Sequence, residues 1–264
     1  KDRAVVDADG LRDVITALGE VKRFAVRTEV DRPGAPDAAL VGVGVSWKAN
    51  EAAWLPVREL GLDALRAALA PIFSDTGKEI VAHDGKTDIN ALFFSGFPPW
   101  RVAGDPMLMS YLLDADAESH GLINLARRFL GHHMMEPSEI MGSGKNAISF
   151  DRVDVDKAAV YVGECVDCTL RVHDVLLPKI ESEKLSPLYN ELELPLDERD
   201  RGVEDPDALL VGRALFPLAA QGGARLLRLD EPDEVVERET EQVAEADQLL
   251  QARHVGLRLD AMLA

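Results

Sequence analysis

Three acidic residues stand where a sheet and its helices are predicted to meet. Glu29 ends a predicted strand, Asp88 lies one turn into the helix that follows a later strand, and Asp167 lies in a long predicted helix. Carboxylate oxygens are the ligands that Mg²⁺ prefers, and two divalent ions about 4 Å apart activate water for phosphodiester cleavage. Because the chain has 47 acidic residues, each of the three is also explained as a surface carboxylate. The residues around them therefore decide between the two interpretations.

The elements that would position these residues follow from the apolar pattern. Strands are predicted at residues 22–30, 39–47, 52–57, 79–83 and 101–104. Helices are predicted at residues 61–73, 84–95, 106–113, 122–130, 137–141 and 155–182. This order predicts an α/β fold in which a mixed five-stranded sheet, antiparallel at its start and parallel later, is flanked by helices.

Charge and composition change near Pro195, which predicts a boundary there. The whole chain has a net charge of −18, and residues 197–264 contain 16 acidic residues, 8 arginines and no lysine. We therefore expect a first domain over 1–196 and an acidic, mostly helical segment over 197–264. Phosphate contacts need Lys and Arg, so a chain this acidic is expected to bind DNA only weakly by itself.

The compartment is predicted from what the composition excludes. Two cysteines in 264 residues do not make a disulfide scaffold, which indicates a reducing cytoplasm. The apolar runs are too short for a membrane span and no signal peptide opens the chain, so no membrane partner is expected. Cys165 and Cys168 would share one helix face, and two ligands are too few for structural zinc, so reduced and packed cysteines are the prediction.

Several motifs in order resemble a known family. Residues 24–29, 40–45 and 53–57 are similar to the opening of the 3′–5′ exonuclease domain of family A DNA polymerases, the DNA polymerase I type. The likeness continues through the His-Asp-Gly-Lys-Thr-Asp of residues 83–88 and the Tyr-Val-Gly-Glu-Cys of residues 161–165. The resemblance implies a ribonuclease H-like (DnaQ-like exonuclease) fold.

The resemblance also implies roles for individual residues over about 20–196. Glu29 and Asp88 match metal-holding carboxylates of the family, and Tyr161 matches the tyrosine that positions the attacking water. The residues that match nucleic-acid-binding positions are Lys86, Arg128 and Phe150. Residues 254–260 resemble the turn that opens a polymerase thumb, so a polymerase module of the same protein is an expected partner.

Two of the family's four metal-holding carboxylates are replaced, by Arg27 and Cys165. One pair of unit charges about 4 Å apart is worth roughly 4 kcal/mol at an effective dielectric near 20, so an arginine here opposes cation binding strongly. A thiol is also a poor ligand for Mg²⁺. We expect two-metal catalysis to be lost, no cofactor to be required, and Mg²⁺ or Mn²⁺ to matter only for residual activity. The guanidinium of Arg27 is expected to lie near Glu29 and Asp88, in place of a cation.

Three functions remain open at this point. The leading one is an impaired exonuclease-like domain that acts as a scaffold beside a polymerase module. The second is a working exonuclease with a displaced metal site, built from Glu29, Asp31, Asp84 and Asp88, although Asp31 is explained equally well as a turn residue. The third is a free-standing module that binds a protein partner through its acidic segment.

Overall fold

The computed structural model describes residues 2–35 and 38–195, and within them a mixed sheet forms the centre of the fold. The strands are β1 Asp2–Ala4, β2 Arg23–Val30, β3 Leu40–Lys48, β4 Glu51–Pro56 and β5 Glu79–Val81. Their order across the sheet is β1-β4-β3-β2-β5. The three central strands are antiparallel, and each edge strand pairs in parallel with its neighbour. The predicted α/β fold with a mixed five-stranded sheet is confirmed.

Helices flank the sheet in the described part of the chain. They are α1 Ala8–Glu20, α2 Val57–Leu60, α3 Leu62–Phe73, α4 Gly85–Phe94, α5 Pro106–Leu113, α6 Leu122–Leu125, α7 Pro137–Met141, α8 Val155–Ser182 and α9 Ser186–Leu188. None of the helices in the described part of the chain has the length and apolarity needed to cross a membrane.

The fifth strand is not where the sequence predicted it. Residues 101–104 contribute only an isolated parallel bridge between Val81 and Gly104, and β1 occupies the fifth place. β1 has three residues, too few for an apolar pattern, and its pairing with β4 is a tertiary contact. Helix α1 was also unassigned, although Asp7 caps it by accepting a hydrogen bond from Gly10 N at 2.8 Å.

Two other predictions differ from the structure or fall outside it. The predicted helix over 122–130 begins as α6 and continues as a π-helical turn from Ala126 to Leu130. The predicted helical segment over 197–264, with its boundary, lies outside the described residues.

Two glycines in β3 allow the layers to approach closely beside the candidate site. A Cβ on Gly44 would lie 2.2 Å from Val162 Cγ1 of α8, and a Cβ on Gly42 would lie 2.4 Å from the Trp54 ring. Gly44 and Gly42 are the β3 partners of Arg27 and Glu29 on β2. The absence of a side chain at Gly44 lets α8 pack directly over the sheet beside Arg27, and its absence at Gly42 makes room for the Trp54 ring of β4 beside Glu29.

Asp105 fixes the start of α4 from the next helix. Its two carboxylate oxygens accept hydrogen bonds from Gly85 N at 2.9 Å and Met107 N at 2.7 Å, so one side chain ties the beginnings of α4 and α5 together. Its own backbone N donates to the Tyr189 hydroxyl at 2.6 Å. Asp105 is fully buried, and α4 in turn carries Asp88.

We predict that Gly44→Ala destabilises the fold by about 1–3 kcal/mol, because overpacking forces α8 away from β3. The matched control is Gly19→Ala in the last turn of α1, where an added Cβ meets nothing within 4 Å. That change should raise stability by about 0.5–1 kcal/mol, since alanine is the better helix former. Urea unfolding of both variants gives the measurement. Equal effects in the same direction would contradict the close packing of α8 on β3.

Candidate active site

Arg27 and Glu29 form an ion pair on one face of β2. They are two residues apart on the strand and therefore point to the same side of the sheet. Arg27 Nε donates to Glu29 Oε1 at 2.7 Å, and the side chains are 31% and 12% exposed. Burial alone would lower the pKa of Arg27, but Glu29, together with Cys165 and Tyr161, raises it by more, so the pKa is raised overall. The expectation that Arg27 takes the place of a cation beside Glu29 is consistent with this geometry.

Asp88 is held by the residue between these two. Its Oδ1 accepts hydrogen bonds from Thr28 N at 2.6 Å and from Thr28 Oγ1 at 2.8 Å. The side chain is buried, and that burial raises the pKa of Asp88 to about 7 despite the opposing effects of Arg27 and Thr28. Arg27 acts on Asp88 only through space, because its direct bond goes to Glu29. Thr28 was not predicted as a site residue. Strand alternation places its side chain on the other face of the sheet from Arg27 and Glu29, and no motif pointed to it.

Helix α8 places a tyrosine and a cysteine over the same region. Tyr161 and Cys165 lie one helical turn apart on α8, and both side chains are buried. Burial raises the pKa of Cys165 to about 11 and also raises the pKa of Tyr161. Cys165 is therefore a neutral thiol at physiological pH, where an aspartate would be a charged ligand. It adds no negative charge that could offset Arg27.

The displaced carboxylate set does not assemble in the described residues. Asp31 Oδ1 accepts a hydrogen bond from Ala39 N at 2.7 Å and closes the loop between β2 and β3. Asp84 Oδ2 accepts one from the Thr87 hydroxyl at 2.8 Å, at the start of α4. Across residues 2–35 and 38–195, no group of three or more His, Cys, Asp or Glu side chains is arranged to hold a metal ion. The donor set in this region does not fit a pair of divalent cations.

Asp167 was predicted to converge with Glu29 and Asp88, and this is wrong. Its Oδ1 accepts a hydrogen bond from Asn50 N at 2.5 Å and its Oδ2 one from Arg171 Nη1 at 3.0 Å. Asn50 lies in the turn between β3 and β4, at the far end of β3 from the partner of Glu29. Asp167 therefore ties α8 to that turn. The sequence placed it on the correct helix but gave no information on which end of the sheet the residue faces.

The three residues matched to nucleic-acid binding have different surroundings. Arg128 is half exposed, pairs with Asp114 at 2.8 Å and lies 5.1 Å from the centre of the Phe129 ring. Lys86 lies in the first turn of α4. Phe150 is buried between the rings of Trp54 and Tyr161, with ring centres 5.8 and 6.2 Å away. Its ring packs against Tyr161 and is buried in this structure. Nucleic-acid contact by Lys86, Arg128 and Phe150 remains a prediction.

A cavity of about 280 Å³ opens beside these groups. It is lined by Arg27, His83, Gly121, Leu122, Ile123, Asn124, Met134, Met135, Pro137, Tyr161 and Cys165. Burial, with Arg27 nearby, lowers the pKa of His83 to about 3, so this ring is neutral. The sequence analysis did not predict that His83 lines this cavity, although His83 is the first residue of the family-like motif at residues 83–88.

Glu164 holds the loop that forms one wall of the cavity. Its Oε1 lies 2.7 Å from His132 Nε2, and its Oε2 accepts a hydrogen bond from Met135 N at 2.7 Å. The loop residues Met134 and Met135 line the cavity. Glu164 is thus a structural tether, and His132 is one of the two residues of the loop that it holds. Cys165 and Cys168 are buried free thiols, so the prediction of packed cysteines is confirmed.

This combination of mixed sheet, long helix and carboxylates on β2 and α4 defines a ribonuclease H-like exonuclease fold. A family sequence model described as 3′-5′ exonuclease, of the DNA polymerase A type, matches residues 3–181. The chain belongs to this family, the 3′–5′ exonuclease domains of DNA polymerase I.

Individual relatives agree with the family. The DNA polymerase I of Pseudomonas aeruginosa is 32% identical over 237 residues, which is 86% of this chain and 26% of the relative. The chain thus spans about a quarter of the length of that relative. Among solved structures, the POL domain of Pol1 from M. smegmatis has a TM-score of 0.60 at 19% identity, covering 74% of this chain and 30% of that one. Escherichia coli RNase D also has a TM-score of 0.60, at 15% identity, covering 76% and 51%. At such identities the structures support the fold alone.

We predict that Asp88→Asn becomes increasingly stabilising as the pH rises from about 4 to 7. A carboxyl with a folded pKa of about 7 and an unfolded pKa of about 3.9 stays protonated in the fold across this range, so the wild type loses stability as the pH rises. The asparagine Oδ1 keeps the two bonds from Thr28 and does not titrate. The difference should change by at most about 1.4 kcal/mol per pH unit and level off above pH ~7.

Urea unfolding in EDTA between pH 4.5 and 8.5 measures this difference. The control is Asp13→Asn on the exposed side of α1, which removes one negative charge without affecting a buried group. Parallel stability curves for the wild type and Asp88→Asn over the whole range would show that burial does not raise the pKa of Asp88.

Proposed function

We propose that this exonuclease domain is catalytically impaired and acts as a scaffold beside a polymerase module. The observation that carries the proposal is the ion pair at 2.7 Å between Arg27 and Glu29. A divalent cation that approached Glu29 would have to break this bond and accept a guanidinium as its neighbour. Repulsion between unit charges about 4 Å apart is roughly 4 kcal/mol at an effective dielectric near 20, and it doubles for a divalent ion.

The remaining groups do not compensate for this repulsion. Cys165 is a neutral thiol, and Asp88 is only partly ionised near pH 7 because its pKa is raised to about 7. Asp31 and Asp84 are engaged in the β2–β3 loop and at the start of α4. Two-metal cleavage needs several ionised oxygen ligands at once. The local charge therefore supports an impaired site over an active exonuclease with displaced ligands.

The relatives support the proposed partners and, through them, the proposed scaffold role. The Pseudomonas aeruginosa relative is a DNA polymerase I, and the M. smegmatis structure is a complex with a DNA primer-template and dNTP. We propose that this domain likewise belongs to a DNA polymerase I-type protein in the cytoplasm and lies beside its polymerase module. Its net charge of −18 supports weak DNA binding by the chain alone. The module that binds a partner through residues 197–264 stays an alternative outside the described residues.

We predict that the 264-residue chain degrades single-stranded DNA no faster than its Glu29→Ala, Asp88→Ala variant in Mg²⁺ or Mn²⁺. The physical reason is the missing pair of carboxylates. End-labelled oligonucleotides resolved on a denaturing gel provide the assay. Metal-dependent degradation clearly above that of the variant would refute impairment and favour the displaced-ligand exonuclease.

We further predict that Arg27→Asp combined with Cys165→Asp creates Mg²⁺-dependent stability. The double change restores four carboxylates, so Mg²⁺ at roughly 10–100 times its Kd should stabilise the variant by about 1–3 kcal/mol over EDTA. In EDTA, Arg27→Asp alone should lower the unfolding midpoint, since it places like charges beside Glu29 and Asp88. The matched control is Arg12→Asp on exposed α1, which has the same charge change as Arg27→Asp alone and should show no Mg²⁺ effect. If the double variant unfolds identically in Mg²⁺ and EDTA, these four positions do not form a metal site.

A further inference from the structure

The residues that line the cavity beside Arg27 carry a positive charge, whereas a cation site would need negative ones. Arg27 is the one residue with a full charge among those that line it, since His83 is neutral. Glu29 and Asp88 are absent from the lining, and their carboxylates accept hydrogen bonds from Arg27 and Thr28. A small ion in this cavity would therefore meet a guanidinium and no carboxylate on its walls.

The guanidinium of Arg27 has hydrogen-bond donors that Glu29 does not use. Its Nε is used by Glu29, while neither Nη group has a hydrogen-bond partner among the described residues of the chain. The side chain is 31% exposed, so these donors are within reach of a ligand in the cavity. The planar fork of a guanidinium matches two oxygens of a phosphate or carboxylate group.

The other walls favour an anion that carries an apolar body. They include the side chains of Leu122, Ile123, Met134, Met135 and Pro137. Apolar walls lower the local dielectric and strengthen a charge contact. The volume of about 280 Å³ is near the lower end of the ~300–1,000 Å³ range of small-molecule pockets. Tyr161 adds a hydroxyl to the same wall as Cys165.

We propose that this cavity binds a phosphate ester directly through Arg27, without a metal ion. The phosphate would contact the Nη groups, and the organic part would lie against the methionine-rich wall that Glu164 holds in place. Glu29 is then a competitor of the ligand, because both are anions bound to one guanidinium. Binding of this kind does not depend on whether the chain cleaves DNA.

Thermal unfolding of the 264-residue chain in EDTA tests the proposal. Phenyl phosphate is the main probe. Inorganic phosphate measures how much of the binding comes from the phosphate group alone. A short oligothymidylate tests whether the phosphates of a DNA strand reach the same cavity. Ionic strength is held constant with NaCl. We expect a saturable rise in the unfolding midpoint with phenyl phosphate, abolished by Arg27→Gln and retained by Arg12→Gln on exposed α1.

Glu29→Gln separates an anion site from a cation site. Removing the competing carboxylate should tighten phenyl phosphate binding by about fivefold, the factor that corresponds to a partly exposed ion pair. If Arg27→Gln alone does not fold, the Arg27→Gln, Glu29→Gln double variant replaces both partners with neutral groups of similar size and should bind no phosphate. Three results would overturn the proposal: a wild-type response equal to that of NaCl, binding retained without Arg27, or binding unchanged or weaker in Glu29→Gln.

Discussion

The ion pair between Arg27 and Glu29 determines the electrostatics of the whole region. A bond of 2.7 Å occupies the carboxylate that a cation would need, and it keeps a positive charge next to Asp88, Tyr161 and Cys165. Each of these three groups has a raised pKa because burial outweighs the help that Arg27 gives to its ionised form. The site thus has one strong internal pair surrounded by largely neutral groups. A metal-dependent relative would instead need several ionised oxygens held close together.

The backbone explains how such a pair forms without disturbing the fold. Strand alternation sends Arg27 and Glu29 to one face and Thr28 to the other, and Gly44, opposite Arg27, leaves room for α8. These features depend on the strand and its neighbours and not on the charge of residue 27. The sheet can therefore accept an arginine at this position, since the side chain is partly exposed and finds its partner two residues away.

Much of the fold could be predicted from the sequence, and the failures have a common cause. The long elements, such as α8 and β2, have enough residues for an apolar period to show, and α8 was predicted with its observed bounds. β1 was missed because its place depends on pairing with β4, which no local pattern encodes. The closeness of Arg27 to Glu29 followed from their spacing. The distance of Asp167 from them, and the burial of Phe150, depend on how α8 and the loop before it lie on the sheet.

The bond between Thr28 and Asp88 has a consequence for how such domains are compared. Asp88 joins α4 to β2 through two hydrogen bonds to a single residue, and it makes them while buried and without any cation. A variant with an apolar residue at position 88 would lose a connection between a helix and the sheet, whatever had become of the chemistry, whereas asparagine would keep it. Selection for a folded domain is therefore sufficient to keep a hydrogen-bond acceptor at this position. An aspartate that aligns with this position indicates a hydrogen-bonded contact between a helix and the sheet. By itself it is not evidence of catalytic activity.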